Sequence, residues 1–522
     1  MWLDKFKSVV IALFSGLVLC GLAAALALQL VARSHHVTAS RAAGFAVAQP
    51  LRFWPYDLAA YAAGSLAIGV LVAGCLFAAL RNVRWTFRPR RVDSEEAALD
   101  LVAKGTKTGP RIFAGKFGGK PLHVSVEDRG LVIGPPGTGK TAFLFNQLLR
   151  AMKTGEHFVC VDLKPEIHRV LSPTLTTSGY RVLRINPAKA DPDADHWNPL
   201  DDIKDETDIA ELCGALLPIR DAKEAPFTEA QRDWLKAAVF HMSSTPGGSL
   251  PGAFNLLSSS PDPLKILDVL GRSTNETAAR LARRIAAGLA GAKPDPLILQ
   301  GLTGMLRSLD YLGLAGVQDA LGYSDFSVRE LGRGEQPIAL FLQFEEAKLN
   351  ALGPLLAFMA NGVITSLIET AADRKPVFLF LDELGNMPPI PNLPQKLNTI
   401  RSRNIPTWMY FQTAEQMETG YGRGAISTFF ASSDFQMVFR LNDQSTRELI
   451  SKLIGTTQKE KTSHSQTGGN GSTTRSRETV AVIEPHELGQ LAPGSVIALY
   501  RGAAAKGRAT PHFVDFPVFK RK

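Results

Sequence analysis

Residues 134–141 of this chain read Gly134-Pro135-Pro136-Gly137-Thr138-Gly139-Lys140-Thr141: a glycine, four residues, and then Gly-Lys-Thr. The apolar run 131–133 precedes this motif, and the amphipathic run 142–149 follows it. This spacing between a short strand and a helix predicts a P-loop (Walker A motif), whose glycines let successive backbone N–H groups face a triphosphate. The alternative is a Gly/Pro-rich turn that ends in Lys-Thr by coincidence, which the flanking strand and helix disfavour. We therefore expect the chain to bind a nucleoside triphosphate.

Two side chains of the motif have direct roles in such a site. Lys140 can reach the β- and γ-phosphates, and the Thr141 hydroxyl can bind Mg²⁺. The helix N-terminus behind the loop adds partial positive charge. The sequence therefore predicts ATP and Mg²⁺ as the cofactors, with residues 134–141 in contact with the nucleotide.

An acidic pair far along the chain is the candidate Walker B motif. The five apolar residues 377–381 are followed directly by Asp382 and Glu383. Strands of a doubly wound sheet open their ligand crevice at the carboxyl end. We therefore expect Asp382 to hold the water shell of Mg²⁺ and Glu383 to polarise the water that attacks the γ-phosphate. Because any strand can end in acids, this assignment depends on the P-loop in the same domain.

Asp162 is a rival for the magnesium-binding acid, because it also ends an apolar run, residues 157–162. It is followed by Leu163 and Lys164 and not by a second acid. We therefore place Asp162, Lys164 and Glu166 near the site in a secondary role. A purely structural role for them remains equally open.

Three more residues are candidates for sensing or completing the reaction. Gln412 ends the apolar run 406–412 and can touch the γ-phosphate, although a solvated strand end is the alternative. Arg401 and Arg403 close a predicted helix, and either could reach the nucleotide of a neighbouring subunit as an arginine finger. An ordinary cation at a helix C-terminus is the alternative for both.

Composition and charge narrow the class of protein. The 522 residues are 45% hydrophobic and 20% charged, which is enough for a sizeable core. The formal net charge of +9 suits a partner that carries phosphates, either nucleic acid or anionic lipid. The four cysteines form no CxxC pair, so neither a disulfide framework nor a zinc site is predicted.

The N-terminal region, residues 1–91, has the pattern of a membrane anchor. The runs 8–32 and 58–80 are uncharged and long enough to span a bilayer as helices. A cleaved signal peptide is the alternative for the first run, but two neighbouring runs favour a two-helix transmembrane hairpin. Basic residues at both outer flanks predict that both termini, and the domain that follows, are cytoplasmic.

The rest of the chain alternates between strands and helices, with one interruption. Residues 92–200 and 334–522 have the alternation of an α/β fold, a mainly parallel sheet with helices on both faces. Residues 201–333 have helical periodicity throughout and predict an inserted all-α domain. The Ser/Thr/Gly-rich patch 463–475 predicts a flexible surface loop.

The order of these features resembles the coupling proteins of type IV secretion and conjugation systems, of the TraG/TraD type, over essentially the full length. Many motor ATPases share the P-loop and the acidic pair. The features that are specific for this family are the membrane hairpin, the order of the motifs and the long gap between the P-loop and the acidic pair. Pro165 departs from the pattern, since the resemblance leads us to expect a glycine there. The segments that carry the resemblance are the two spans, 134–141, 161–166, 198–200, 381–383, Gln412, 442–446 and 483–488.

The resemblance implies a homohexameric, two-pass ATPase of the bacterial inner membrane, with a RecA-like P-loop motor domain and an all-α domain facing the cytoplasm. Such proteins recruit a relaxase–DNA complex (the relaxosome) or effector proteins and deliver them to secretion-channel components. The DNA is expected to be single-stranded and bound without reading its sequence, by basic residues that follow the phosphate backbone. The inserted all-α domain is expected to recognise the cargo.

Two other functions remain open. A membrane-anchored DNA translocase of the FtsK type shares the motor motifs, but the two-span anchor and the helical insertion argue against it. A receptor for protein effectors, which uses ATP mainly for assembly, fits the sequence nearly as well. A membrane-anchored ATP-dependent protease is disfavoured because the sequence contains no His-Glu-x-x-His motif.

Overall fold

The computed structural model describes residues 91–519 apart from 110, 220, 291–292 and 468–469, together with the single residue 29. The predicted transmembrane spans 8–32 and 58–80 lie outside the described residues, apart from residue 29. The described residues from 91 onward belong to one compact unit, Pro89–Lys522.

The strands of the described region form one large sheet and one separate pair. Eleven strands are hydrogen-bonded in a single sheet, and the other two form an antiparallel ribbon. In chain order the strands are β1 (Arg111–Phe117), β2 (Lys120–Ser125), β3 (Gly130–Ile133), β4 (His157–Asp162), β5 (Arg181–Ile185), β6 (Ile338–Gln343), β7 (Val377–Leu381), β8 (Thr407–Phe411), β9 (Phe435–Val438), β10 (Thr456–Thr467), β11 (Asn470–Ala481), β12 (Ser495–Tyr500) and β13 (Ala503–Arg508).

The large sheet is parallel through its centre and antiparallel at one edge. Its order is β2-β1-β13-β12-β9-β3-β8-β7-β4-β6-β5, and the seven strands from β9 to β5 run parallel. The other four, from β2 to β12, pair antiparallel. The predicted α/β fold is therefore confirmed, and the sheet is mixed. Sequence reasoning missed β13, which returns through a two-residue turn where Arg501 and Gly502 have φ of 47° and 75°.

Helices pack on both faces of this sheet. Alternate strand residues point to opposite faces, and both sets of side chains are buried. Leu131 and Ile133 of β3 pack into one hydrophobic cluster, whereas Val132 packs into the other. The helices are α1 (Glu95–Ala103), α2 (Lys140–Thr154), α3 (Glu166–Thr177), α4 (Glu206–Leu216), α5 (Ala225–Ser243), α6 (Leu250–Ser258), α7 (Pro263–Gly271), α8 (Glu276–Leu289), α9 (Pro296–Ser308), α10 (Ala315–Gly322), α11 (Leu349–Glu369), α12 (Leu393–Arg401), α13 (Glu415–Tyr421), α14 (Ala425–Ser432), α15 (Gln444–Ile454), α16 (Pro485–Gly489) and α17 (His512–Asp515).

Between β5 and β6 the described residues form helices α4 to α10, joined by turns and irregular segments, and contain no strand. Several of these helices begin with the same local signal. Asp262 and Asp295 each cap a helix and are each followed by a proline, and their carboxylates accept the N–H of Leu264 and Leu297. Such an Asp-Pro start satisfies a free backbone donor and presets the helical φ. The division into separate domains at 201 and 333 stays a prediction.

Helix α11 is long and apolar enough to cross a membrane by length and composition, but it is a core helix here. Within the span Glu346–Glu369, 67% of the most apolar window is buried inside the molecule. The helix packs against β6 and against α4, α12 and the turn before α11. Burial by protein therefore accounts for its apolar character.

The prediction of a loop at 463–475 is wrong for the described residues of this segment. Residues 463–467 and 470–475 lie in the ribbon of β10 and β11, which pair in continuous register from Thr456 opposite Ala481 to Thr467 opposite Asn470. A segment of low sequence complexity lacks the apolar side chains of a packed core. Strands can still pair there, because backbone groups make the hydrogen bonds between them. Threonine, which is frequent in both strands, also favours extended backbone.

Candidate functional site

The order of the parallel strands brings four predicted site segments together at the carboxyl ends of neighbouring strands. The P-loop follows β3, Gln412 follows β8, the pair Asp382 and Glu383 follows β7, and Asp162 ends β4. These four strands are consecutive neighbours in the sheet. Because all four run parallel, their carboxyl ends form a continuous crevice. The site therefore spans four adjacent strands.

The P-loop adopts the strand–loop–helix geometry that its sequence predicts. Gly137 and Gly139 have φ of 76° and 105°, a region that favours glycine. A Cβ on Gly134 would lie 2.6 Å from Cβ of Phe439, so this position also excludes a side chain. The Thr138 hydroxyl donates to the carbonyl of Pro135 at 2.7 Å and closes the loop. The glycines are thus required by the shape of the loop.

Lys140 begins α2 and folds back over the loop. Its ammonium donates to the carbonyl of Gly134 and lies 3.4 Å from that of Pro135. The side chain is buried, and burial lowers the pKa of Lys140, while the nearby Glu383 and Asp382 oppose the shift. A desolvated cation held by neutral carbonyls can exchange them for phosphate oxygens at little cost.

Asp382 is a buried carboxylate with capacity to bind a cation. Its side chain is 3% exposed, and its Oδ1 has no hydrogen-bond partner among the described residues. Burial and the neighbouring Glu383 raise the pKa of Asp382 to about 7. Oxygen ligands of this kind suit Mg²⁺, which usually keeps several waters and binds through one or two carboxylates. Asp382, together with the Thr141 hydroxyl at the head of α2, therefore fits a magnesium ion.

Glu383 combines a strained backbone with a fixed side chain. Its φ of 49° is left-handed, which is uncommon for glutamate and typical of functional sites. The amide of Gln412 donates to Glu383 Oε2 at 2.9 Å, and the ammonium of Lys164 lies 3.5 Å from Oε1. Gln412 therefore lies half-buried beside Glu383, and its side chain is engaged by that carboxylate.

Asp162 lies beside Asp382 across the β4–β7 pair, in which Val161 is opposite Leu381. Its Oδ2 accepts the N–H of His168 at 3.0 Å and so caps the start of α3. Its Oδ1 has no hydrogen-bond partner among the described residues, and burial raises its pKa to about 7. Asp162 thus has a structural role, and it also adds a second buried acid to the site.

Arg401 and Arg403 lie at the amino ends of the parallel strands, whereas the P-loop lies at their carboxyl ends. Both precede β8, where the carbonyl of Asn404 accepts the N–H of Val377, the first residue of β7. A guanidinium nitrogen of Arg401 lies 3.8 Å from Asp434, and the carbonyl of Arg403 accepts a hydrogen bond from Arg374. The fold therefore does not bring either arginine to the nucleotide site of its own chain, and a role in a neighbouring subunit stays a prediction.

Sequence reasoning missed two polar residues that support Glu383 and Gln412. Asn386 Nδ2 lies 3.4 Å from Glu383 Oε2, and Gln416 Nε2 donates to Asn386 Oδ1 at 3.0 Å. Gln416 Oε1 in turn accepts the backbone N–H of Gln412 at 2.9 Å. Neither residue belongs to a motif, so only their meeting in space identifies them.

Comparison with known proteins gives a consistent result. A family model described as type IV secretory system conjugative DNA transfer matches residues 80–512. The chain is similar to the conjugal transfer protein TraG of Escherichia coli, with 23% identity over 417 residues, which are 71% of this chain and 62% of that protein. The chain thus spans less than two thirds of the length of that relative.

The fold is similar to that of solved structures of the plasmid coupling protein TrwB. One, a complex with the non-hydrolysable ATP analogue ADPNP, has a TM-score of 0.63 and 18% identity, and the match covers 81% of this chain and 93% of that one. Another, with ADP and Mg²⁺, has a TM-score of 0.61 and 19% identity, with the same coverage. Because the family model matches most of its length, this chain belongs to the type IV secretory system family of conjugative DNA transfer proteins.

Proposed function

We propose that this chain is the ATP-hydrolysing coupling protein of a type IV secretion or conjugation system. The observation that carries the proposal is the convergence of Lys140, Asp382 and Glu383 at the carboxyl edge of one sheet, in a member of this family. These are the side chains that phosphate binding, metal binding and water activation need.

The chemistry divides among the residues of the crevice. Mg²⁺, when bound, neutralises developing charge on the phosphates. The backbone N–H groups of 134–141 and the Lys140 ammonium bind the β- and γ-phosphates, and Asp382 and Thr141 hold the metal. Glu383 accepts the proton of the attacking water at a carboxylate oxygen, and Gln412 keeps that carboxylate oriented.

The proposal extends to the membrane and to assembly. Residues 1–91 would anchor the protein in the bacterial inner membrane through helices at 8–32 and 58–80, with both termini cytoplasmic. A homohexamer would place the edge that bears Arg401 and Arg403 near a neighbour's nucleotide. The exposure of both arginines supports an arginine finger, since a neighbouring subunit can reach an exposed cation.

The proposed cargo is DNA, single-stranded and bound without regard to sequence, delivered with its relaxosome to secretion-channel components. The net charge of +9 supports a phosphate-bearing partner. Effector proteins are the alternative cargo, and in either case we propose that residues 201–333 recognise it.

The test is ATP turnover by the full chain in detergent, with and without single-stranded or double-stranded DNA. Lys140→Ala serves as the blank, because it removes the phosphate-binding ammonium. We expect turnover to rise several-fold with single-stranded DNA and to vanish in the variant. Turnover that is indifferent to DNA, in protein shown to be assembled, would favour protein cargo, and substantial turnover by Lys140→Ala would overturn the P-loop assignment.

A further inference from the structure

We propose that Lys164 is a positioning residue for Glu383: its ammonium holds one carboxylate oxygen while Gln412 holds the other. This inference rests on the proposed function, because it concerns the same reaction. It assigns a task to the segment after β4, in which Pro165 departs from the expected family pattern.

The contacts divide the two oxygens of Glu383 between two partners. Lys164 Nζ lies 3.5 Å from Oε1, and Gln412 Nε2 donates to Oε2 at 2.9 Å. The Glu383 side chain is only 4% exposed, whereas that of Lys164 is 44% exposed. A fully exposed ion pair would be worth little, but a desolvated carboxylate depends strongly on its partners. Lys164 therefore reaches inward from the surface to a buried acid.

The backbone around Lys164 is held in place from both sides. Leu163 before it is buried, and its carbonyl accepts the N–H of Glu346 at 3.2 Å. Pro165 after it has φ of −52°, which its ring fixes, and it directly precedes α3. A proline at this position removes conformational freedom from the segment. The Lys164 side chain is thus aimed from a rigid base.

Charge balance in the crevice also favours a pair between Lys164 and Glu383. Burial is the main cause of the lowered pKa of Lys140; the charge of Glu383 opposes this shift, whereas the charge of Lys164 adds to it. Without an acid nearby, the half-exposed Lys164 and the buried Lys140 would repel one another. Glu383 therefore compensates Lys164, and Lys164 in turn keeps the catalytic carboxylate from turning away.

The first experiment separates turnover from nucleotide binding. Lys164→Met should lower kcat about 10- to 100-fold, because the general base is present but poorly placed. KM for ATP and the affinity for ADPNP should stay within about 2-fold, since the phosphate ligands are intact. Lys164→Arg should restore most of kcat. Lys348→Met, at an exposed lysine close in sequence to β6, is the matched control and should leave kcat unchanged.

The second experiment is a double-mutant cycle with Glu383→Gln. In that background Lys164→Met should cause no further loss of kcat, because the partner charge is already gone. The same four proteins are compared by thermal unfolding without nucleotide, where Lys164→Met should lower Tm only when Glu383 is present.

Two outcomes would overturn the inference. A tenfold loss of ADPNP affinity in Lys164→Met would make Lys164 a phosphate ligand, and additive effects in both cycles would mean that the pair does not interact. If the wild-type chain neither binds ADPNP nor hydrolyses ATP, the proposed function fails instead, and the nucleotide-free unfolding cycle still decides whether the pair exists.

Discussion

Glu383 turns the chain at the end of β7 in a conformation that glutamate seldom adopts. A left-handed residue costs roughly 1–3 kcal/mol, which the surrounding structure must offset. Its carbonyl accepts the N–H of Asn386 at 2.8 Å, and its carboxylate is engaged by Gln412 and Lys164. The strain directs the carboxylate toward β8 and into the crevice. Stability is thus given up at the residue that we propose as the general base.

Replacement of Glu383 by glutamine tests this role. Glu383→Gln keeps the size of the side chain but cannot accept a proton, so we expect kcat to fall about 10²- to 10⁴-fold. ADPNP affinity, measured by calorimetry, should change little. Glu346→Gln, at an exposed acid, is the control. A normal rate in Glu383→Gln would place the general base elsewhere.

Asp382 makes the stability of the nucleotide-free protein depend on pH. Burial and Glu383 raise its pKa from 3.8 to about 7, so between these values the folded protein binds more protons than the unfolded chain. Stability therefore falls as pH rises through this window. We expect Asp382→Asn to have a higher Tm than the wild type at pH 8 and a smaller advantage at pH 5.

The control for this measurement is Asp193→Asn, at an exposed aspartate, whose Tm difference should not vary with pH in the same way. A Tm advantage of Asp382→Asn that is equal at both pH values would show that the carboxyl titrates normally. Mg²⁺ with ADPNP should stabilise the wild type and not Asp382→Asn, since the carboxylate is needed to hold the metal.

At the scale of elements, Arg374 joins three segments at the amino edge of the sheet. It is 8% exposed, and burial lowers its pKa to about 10. Its guanidinium donates to the carbonyl of Leu367 at the end of α11 and to those of Lys375, Asn404 and Arg403 before β7 and β8. A cation at the end of a helix also favours the helix dipole. One side chain thus sets how α11 meets two strands of the site.

Replacement of Arg374 by lysine should reveal this link. A lysine keeps the charge but cannot bind all four carbonyls, so we expect the free energy of unfolding to fall by about 2–3 kcal/mol in urea. Arg401→Lys, at an exposed arginine whose side chain lies 3.8 Å from Asp434, should change it by less than about 0.5 kcal/mol. Equal stability of the two variants would contradict a joining role.

At the scale of the whole molecule, the candidate nucleotide site and the helical region are attached to different strands of one sheet. The crevice lies at β3, β8, β7 and β4, while helices α4 to α10 are inserted between β5 and β6. In the sheet order β4, β6 and β5 are consecutive. The helical region is therefore connected to strands that lie beside or next to the nucleotide crevice.

Removal of residues 1–90 tests the predicted anchor. The described residues carry their own core, so we expect a protein that is soluble without detergent and unfolds at a Tm close to that of the full chain. Assembly, measured by light scattering after size-exclusion chromatography, should be weaker than for the full chain. A stable hexamer formed without these residues would show that the anchor is not needed for assembly.

Local sequence determined the nucleotide motifs and the class of fold. The glycines of 134–141 and the apolar run before Asp382 are properties of a few consecutive residues, and the described structure contains both. Backbone freedom and strand burial act over such short distances, which is why these features were predictable.

The tertiary structure alone decided which segments became neighbours. Strand β8 lies between β3 and β7, so Gln412 meets Glu383, and Asn386 and Gln416 complete the contact. The ribbon of β10 and β11 and the position of β13 between β1 and β12 also depend on pairing that local composition does not encode. Strand pairing draws on backbone groups common to all residues, and its partner is set by the packing of the whole sheet. For that reason the nucleotide motifs could be predicted from short stretches of sequence, whereas the residues that contact them became visible only in the fold.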